Sequence, residues 1–203
     1  MAEVKLTKSE LRDQQKRLSQ LEKYLPTLQL KKALLQMEVS NAIVEMEEIG
    51  QSLLKAKNEV LDFAPFLMEK VEYNLSQYAE IAHVHKSYEN VAGVEIPVFE
   101  RIEFQPPQYF FFDTPVWTEA AMVVLRKMVE WRERLNISQE KKRALEKELR
   151  EVSIRVNLFE KILIPRAIAN IKKIKIFLGD LQLSAVAQAK VAKKKIEELK
   201  EAI

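Results

Sequence analysis

The sequence predicts an all-α dominated fold, a long antiparallel two-helix coiled coil with a short β-hairpin head between the helices. Apolar residues recur at spacings of three and four in both halves of the chain, and a proline-rich stretch separates the halves. Only 3 of 203 residues are glycine and 31% are charged, a composition typical of long helices. We therefore expect one elongated domain, with an N-terminal helix over residues 8–90, a head over 93–113 and a C-terminal helix over 115–200.

The N-terminal helix carries a heptad pattern that begins at Leu11. The a positions are Leu11, Leu18, Leu25, Lys32, Val39, Met46, Leu53, Val60 and Leu67, and the d positions are Gln14, Leu21, Leu28, Leu35, Ala42, Ile49, Ala56 and Phe63. Only Gln14 and Lys32 are polar, so the pattern predicts a left-handed supercoil. Because a helix cannot bury such a stripe on itself, it needs a partner helix.

Local signals set the expected limits of this helix. Thr7 and Glu10 fit a capping box, which predicts a start near residue 8. Pro26 predicts a kink, and the Asp62–Pro65 segment predicts a second bend. Apolar residues then recur at 71, 75, 78 and 82, so we expect the helix to continue into the high 80s after a register change.

The C-terminal half carries a second seam, which supplies the partner helix. It consists of Leu145, Leu149, Val152, Val156, Phe159 and Leu163, and it resumes at Ala167, Ile171, Ile174, Leu178, Leu181, Ala185, Gln188, Ala192, Ile196 and Leu199. The two four-residue steps between 163 and 171 form a stutter, and Pro165 inside it predicts a kink. Thr114 and Pro115 predict the start of this region, with a break near residues 136–138. In an antiparallel pair, Leu11 and Leu18 would lie near Ile196 and Leu199.

The segment between the two seams has the alternation of a strand. Val94, Ile96, Val98, Ile102 and Phe104 alternate with polar residues or proline, with Glu100 as the one break. Residues 105–108 (QPPQ) predict a turn, and the aromatic run Tyr109, Phe110, Phe111 and Phe112 predicts the return strand. Because an isolated hairpin is marginally stable, we expect it to lean on the helices.

The sequence contains none of the residue sets that common catalytic, cofactor or metal sites require. His83 and His85 are the only histidines, they lack a third ligand, and exposed histidines at a helix end are the favoured interpretation. There is no phosphate-binding loop and no cysteine, and no nucleophile and base stand out as a set. We therefore expect no enzyme activity, cofactor or metal. The net charge of +3 is too small to predict nucleic-acid binding. No stretch of the sequence is long and apolar enough to insert into a membrane.

Three groups of residues remain as candidate partner contacts. Lys190, Lys193 and Lys194 form either a solvated face balanced by nearby glutamates or a basic stripe that meets an acidic partner surface. The aromatic run 109–112 either packs on the helices or docks another protein. Leu11 and Leu18 belong to the end of the seam.

Two segments resemble the D-subunit family of the V-type (archaeal and bacterial A/V-type) rotary ATPases. Residues 6–11 (LTKSEL) and 28–35 (LQLKKALL) resemble its N-terminal helix. Residues 155–157 (RVN), Glu160 and residues 164–166 (IPR), followed by Ile171 and Ile174, are similar to its C-terminal helix. The chain departs from the family after Gly179, where residues 183–188 are small and weakly polar instead of charged.

The resemblance implies a central-stalk rotor that transmits torque between a catalytic hexamer and a membrane ring translocating protons or sodium ions. The implied partners are the A and B subunits of the hexamer, the F subunit of the stalk and the C/d subunit of the membrane ring. The implied location is cytoplasmic and peripheral to the membrane. The rival hypothesis is a non-rotary coiled-coil scaffold or tether that self-associates.

Overall fold

The structure is a computed structural model that describes residues 4–67, 79–106 and 115–201. In chain order the elements are α1 (Lys8–Asp62), α2 (Ala64–Leu67), β1 (Ile81–Val91), β2 (Val94–Phe104), α3 (Trp117–Leu158), a π-helical turn (Phe159–Leu163) and α4 (Ile164–Glu201). Long helices thus flank an antiparallel hairpin along the chain, which confirms the predicted fold class.

The chain forms two compact units, and both contain part of α1. The first, here called the terminal unit, comprises Met1–Leu30 and Val152–Ile203. The second, here called the hairpin unit, comprises Lys31–Glu151 and contains both strands and most of α3. In each unit a segment of α1 is combined with a helical segment from the C-terminal half of the chain.

Helix α1 begins at the predicted cap and continues for 55 residues. The Glu10 N–H donates to Thr7 Oγ1 at 3.3 Å, and the Leu11 N–H donates to the Thr7 carbonyl oxygen at 3.0 Å. The first bond satisfies a donor that the first turn otherwise leaves unpaired, and the second is the first regular hydrogen bond of the helix. Pro26 lies inside α1 and does not end it. The bend predicted at residues 62–65 corresponds to the interruption at Phe63 between α1 and α2.

The predicted heptad seam of α1 is its buried face. Every a and d residue from Leu11 to Phe63 is buried or half-buried. In the hairpin unit, Leu35, Ala42 and Ala56 are at most 1% exposed. The polar d residue Gln14 is 7% exposed, and its amide nitrogen donates to Glu10 Oε1 at 2.8 Å. The polar group in the seam is therefore hydrogen-bonded, as burial requires.

The prediction of one helix over residues 8–90 is wrong. Helix α1 ends at Asp62, and residues 81–91 form strand β1, which pairs with β2. The predicted strand β2 is confirmed, but its partner precedes it in the chain, whereas the sequence predicts that partner at Tyr109–Phe112. Those four aromatic residues lie outside the described residues. The apolar residues at 71, 75, 78 and 82 have a spacing that favours a helix. That spacing does not show that residues 81–91 pair with residues 94–104.

The hairpin closes through a two-residue turn at Ala92 and Gly93, both of which have positive φ, at 52° and 82°. The Gly93 N–H donates to Asn90 Oδ1 at 2.9 Å. Positive φ at both central residues is the geometry that matches the twist of paired strands. Opposite Lys86 the register skips Glu100, since His85 pairs with Arg101 and Lys86 pairs with Phe99. The single break in the predicted alternation is therefore a β-bulge.

The hairpin packs on the helices of its own unit, as predicted. Ile96 is 2% exposed and belongs to the core. Lys86 Nζ lies 2.9 Å from Glu140 Oε2 on α3. The Arg134 guanidinium lies 4.6 Å from the ring centroid of Phe99. An ion pair and a cation–π contact thus link the strands to α3.

The C-terminal half contains one uninterrupted helix before the stutter. The predicted break near residues 136–138 is wrong, because α3 is continuous and Ile137 and Ser138 are only 2% and 3% exposed. The kink expected near Pro165 corresponds to the π turn, where the Ile164 N–H donates to the Phe159 carbonyl oxygen. A proline ring clashes with the carbonyl four residues earlier, here that of Lys161. The extra residue of a π turn accommodates this clash without ending the helix.

Replacing Ala92 with glycine should stabilise the protein. A left-handed conformation strains alanine and not glycine, so we expect the free energy of unfolding to rise by about 0.5–1 kcal/mol. Urea unfolding followed by circular dichroism measures this difference. The control is Ser87→Gly in β1, where the residue pairs with Val98, φ is not positive and glycine should weaken the strand. A loss of stability in Ala92→Gly would contradict the assigned turn.

Candidate partner-binding surfaces

The C-terminal part of α4 is a helical segment that no other described residue covers. All residues from Asp180 to Glu198, here called the protruding segment, are exposed. Its large apolar side chains are 51–71% exposed, and they are Leu181, Leu183, Val186, Val191 and Ile196. A helix with this much uncovered apolar surface is typical of a protein-binding element.

The protruding segment exists because α4 extends beyond the start of α1. Leu11, in the first turn of α1, lines a cavity with Leu178 and Gly179, and Leu18 lies one heptad further along the seam. On α4, Ala167, Ile171 and Ile174 are 5%, 9% and 0% exposed, so the seam is closed up to this level.

The expectation that the seam closes at Ile196 and Leu199 is therefore wrong. Ile196 is exposed, and Leu11 lies at the level of Leu178 instead. The apolar pattern of α4 continues for about five turns beyond the first residues of α1.

The structure supports the solvated-face interpretation for part of the basic run, and the partner-binding interpretation stays a prediction. Lys193 and Lys194 lie 3.7 Å from Glu197 and Glu198, four residues further along the helix. These pairs are largely exposed and stabilise the helix little. Lys190 makes no ion pair with any residue that the structure describes. The run thus combines a partly balanced helix face with a cation available to a partner.

Charge is divided unequally between the two units. The terminal unit contains 17 lysine and arginine residues and 9 aspartate and glutamate residues, which gives a net charge of +8. The hairpin unit contains 16 basic and 21 acidic residues, which gives −5. The overall charge of +3 conceals this difference. The two units are therefore suited to partners of opposite charge.

A second apolar stripe lies on α1 in the hairpin unit, on the side away from the seam. It consists of Leu34, Met37 and Val44, which are 36%, 53% and 54% exposed. Their spacings of three and seven place them on one face of the helix. We name these residues the outer stripe. The heptad analysis missed them because it followed only the stronger apolar series, although the same spacing rule finds them in the sequence.

The sequence predicts the two histidines at a helix end, but they lie side by side on β1. The ring centroids of His83 and His85 are 4.6 Å apart. His85 Nε2 lies 3.0 Å from Glu103 Oε1, an ion-pair distance without hydrogen-bond geometry, and Arg101 lies 3.0 Å from the same oxygen. Within residues 4–67, 79–106 and 115–201, no group of three potential ligands could hold a metal ion. None of the helices described there is long and apolar enough to cross a membrane.

Comparison with known proteins identifies the family. The family model for the D subunit of ATP synthase matches residues 10–194. The V-type ATP synthase D subunit of Chlamydia abortus is 45% identical over 207 residues, covering 98% of this chain and 97% of that protein. The protein of the same name from Chlamydia trachomatis serovar L2 is 41% identical over 205 residues, covering 98% of this chain and 99% of the relative. This chain belongs to the ATP synthase D-subunit family.

Proposed function

We propose that this chain is the central-stalk rotor of a V-type ATPase or ATP synthase. It transmits torque between a catalytic hexamer and a membrane ring that translocates protons or sodium ions. Family membership supports this function, and the protruding segment is the structural observation that carries it. A single helix that presents apolar and basic side chains to its surroundings is an element that other proteins of a complex can enclose.

The protruding segment has a cross-section that suits a rotor. A lone α-helix has no threefold symmetry, so it presents a different face to each position of a ring of alternating subunits around it. Rotation therefore changes which side chains each catalytic interface contacts. By this route the chain alters catalytic rates through differential binding to conformational states.

The chain itself contributes no chemistry to hydrolysis. Its sequence has no phosphate-binding loop, and its 3 glycines are too widely separated to form one. Nucleotide binding and hydrolysis accordingly belong to the A and B subunits of the hexamer. This chain is a non-catalytic component of a complex that is an ATPase.

The charge distribution suggests how the partners are arranged on the chain. The basic terminal unit, with Lys190 on the protruding segment, faces the A and B subunits of the hexamer. The outer stripe of the hairpin unit offers apolar side chains to the F subunit of the stalk, and the same acidic unit faces the C/d subunit of the membrane ring. The chain is then cytoplasmic, peripheral to the membrane and attached to it through these partners.

The copy number of this chain in its native assembly distinguishes a rotor from a self-associating scaffold. We expect purification from native membranes to yield one copy of this chain per hexamer, because only one shaft fits along the axis of a ring. Quantitative mass spectrometry of the purified assembly measures this ratio. Two or more copies, or a rod containing only this chain, would favour the scaffold hypothesis.

Substituting aspartate on each surface should separate their roles. Val191→Asp in the protruding segment should uncouple ATP hydrolysis from ion transport, because a charge replaces an apolar contact with the hexamer. Val44→Asp in the outer stripe should instead weaken binding of the F subunit. Neither change should lower the melting temperature of the isolated chain appreciably, since the two valines are 57% and 54% exposed.

Val123→Asp provides the control, since this valine is 62% exposed on α3 and lies outside both surfaces. We expect it to leave coupling and F-subunit binding unchanged. Hydrolysis and transport are measured on the assembled complex, and binding of the F subunit is measured by pull-down. Full coupling in an assembled Val191→Asp complex would rule out contact between the protruding segment and the motor.

A further inference from the structure

We propose that the terminal unit contains a binding groove for an acidic segment of another protein, anchored by an apolar side chain of that segment. The groove lies between the first turns of α1 and the π turn that precedes α4. It consists of two adjoining cavities of about 450 and 260 Å³. Both are lined by Arg17, Leu21 and Leu163, so they form one continuous depression.

The π turn accounts for the position of this groove. A π turn contains one more residue than an α-helical turn, so it shifts the seam residues that follow it. Leu163, the last residue of the turn, lines both cavities, and Phe159, its first residue, lines the smaller one. The two helices therefore leave space beside Leu21 where a regular coiled coil would be filled. π turns occur frequently at functional sites.

One end of the groove is polar and predominantly cationic. Its polar lining residues are Lys5, Glu10, Gln14, Arg17, Arg166 and Asn170, and Val4, Leu21, Leu163 and Ala167 complete the wall. The single carboxylate there, that of Glu10, already accepts the Gln14 amide at 2.8 Å. Within the described part of the chain, no acidic side chain forms an ion pair with Lys5, Arg17 or Arg166. Two guanidinium groups and an ammonium group thus remain available for carboxylate oxygens, which guanidinium binds in a bidentate manner.

The other end of the groove is apolar. Leu21, Tyr24, Phe159 and Leu163 line it, together with Gln20 and Arg17. Tyr24 is 59% exposed, a large fraction for an aromatic side chain beside a leucine-lined depression. Aromatic and leucine side chains in a concave site serve as the usual receptors for an apolar anchor.

These two ends define the chemistry of the occupant. A segment with glutamate or aspartate next to a leucine or an aromatic residue would place its carboxylates among the cations and its apolar side chain against Leu21 and Phe159. The net charge of +8 on the terminal unit would attract such a segment from a distance. Nucleic acid fits less well, because an apolar depression of this size offers nothing to a phosphate backbone. The inference does not require rotation, since a static scaffold would present the same groove.

The test uses the full chain and a short blocked peptide in which a leucine and a phenylalanine are flanked on each side by two glutamates. We expect this peptide to bind at low salt. Its counterpart with glutamines should bind about tenfold more weakly, because it lacks charge-assisted hydrogen bonds. Chemical shift changes on binding should concentrate at Leu21 and Leu163. Failure of the glutamate peptide to bind, or equal binding of both peptides, would overturn the proposal.

Charge-reversal variants locate the site. Arg17→Glu and Arg166→Glu should each weaken the glutamate peptide about tenfold or more, since a repulsive charge replaces an attractive one. Lys172→Glu makes the same charge change at an exposed residue of the same unit, outside both the groove and the protruding segment, and it should alter binding by less than about twofold after salt screening. Circular dichroism checks that the exposed substitutions leave the helices intact.

The remaining outcomes contradict the proposal. Equal losses in Lys172→Glu and Arg17→Glu would show that overall charge, and not the groove, binds the peptide. If Tyr24→Ser binds the peptide with unchanged affinity, and the peptide causes no chemical shift change at Leu21, then the apolar end of the groove does not bind the peptide. Tighter binding of duplex DNA, lost in Arg166→Glu, would assign the groove to nucleic acid.

Discussion

The apolar seam of α1 is the constraint on which the rest of the structure depends. A helix of 55 residues whose apolar stripe only Gln14 and Lys32 interrupt must be covered by other helices along its length. In the hairpin unit the cover includes α3, with Leu145 fully buried, and in the terminal unit it includes α4, with Ile174 fully buried. The chain supplies more α4 than α1 requires. The excess is the protruding segment, which is therefore free for another molecule.

Periodicity in the sequence was sufficient to predict the seams, because burial of a helix face requires apolar residues at fixed spacing. It also predicted the cap at Thr7 and the strand β2, including its irregularity at Glu100. It did not predict strand β1, because the apolar spacing up to residue 82 favours a helix and Ala92-Gly93 is not a strong hairpin signal in sequence. Nor did it predict where the seam of α4 ends. The pattern through Leu181 and Ile196 shows which residues are apolar, but it does not show what covers them.

The candidate surfaces were predictable to different degrees. Lys190, Lys193 and Lys194 were identified from the sequence, and all three lie on the protruding segment. The outer stripe and the groove were not identified. The stripe is a weaker apolar series on a helix already assigned to the core. The stutter and Pro165 predict an irregularity beside the groove, but they do not show that it is a π turn that leaves a cavity. Unequal charge between the units became apparent only when the fold defined which residues belong together.

The buried seam and the exposed side chains of the protruding segment have separate roles. The seam holds the chain together, and the uncovered apolar and basic side chains beyond it remain for partners. If the protruding segment is enclosed by a ring of subunits, this chain must turn relative to that ring during hydrolysis. A bead attached to this chain in a surface-immobilised complex, observed by single-molecule microscopy, measures the motion directly. The account predicts stepwise rotation in one direction when ATP is added. A bead that stays fixed relative to the hexamer while ATP is hydrolysed would contradict it.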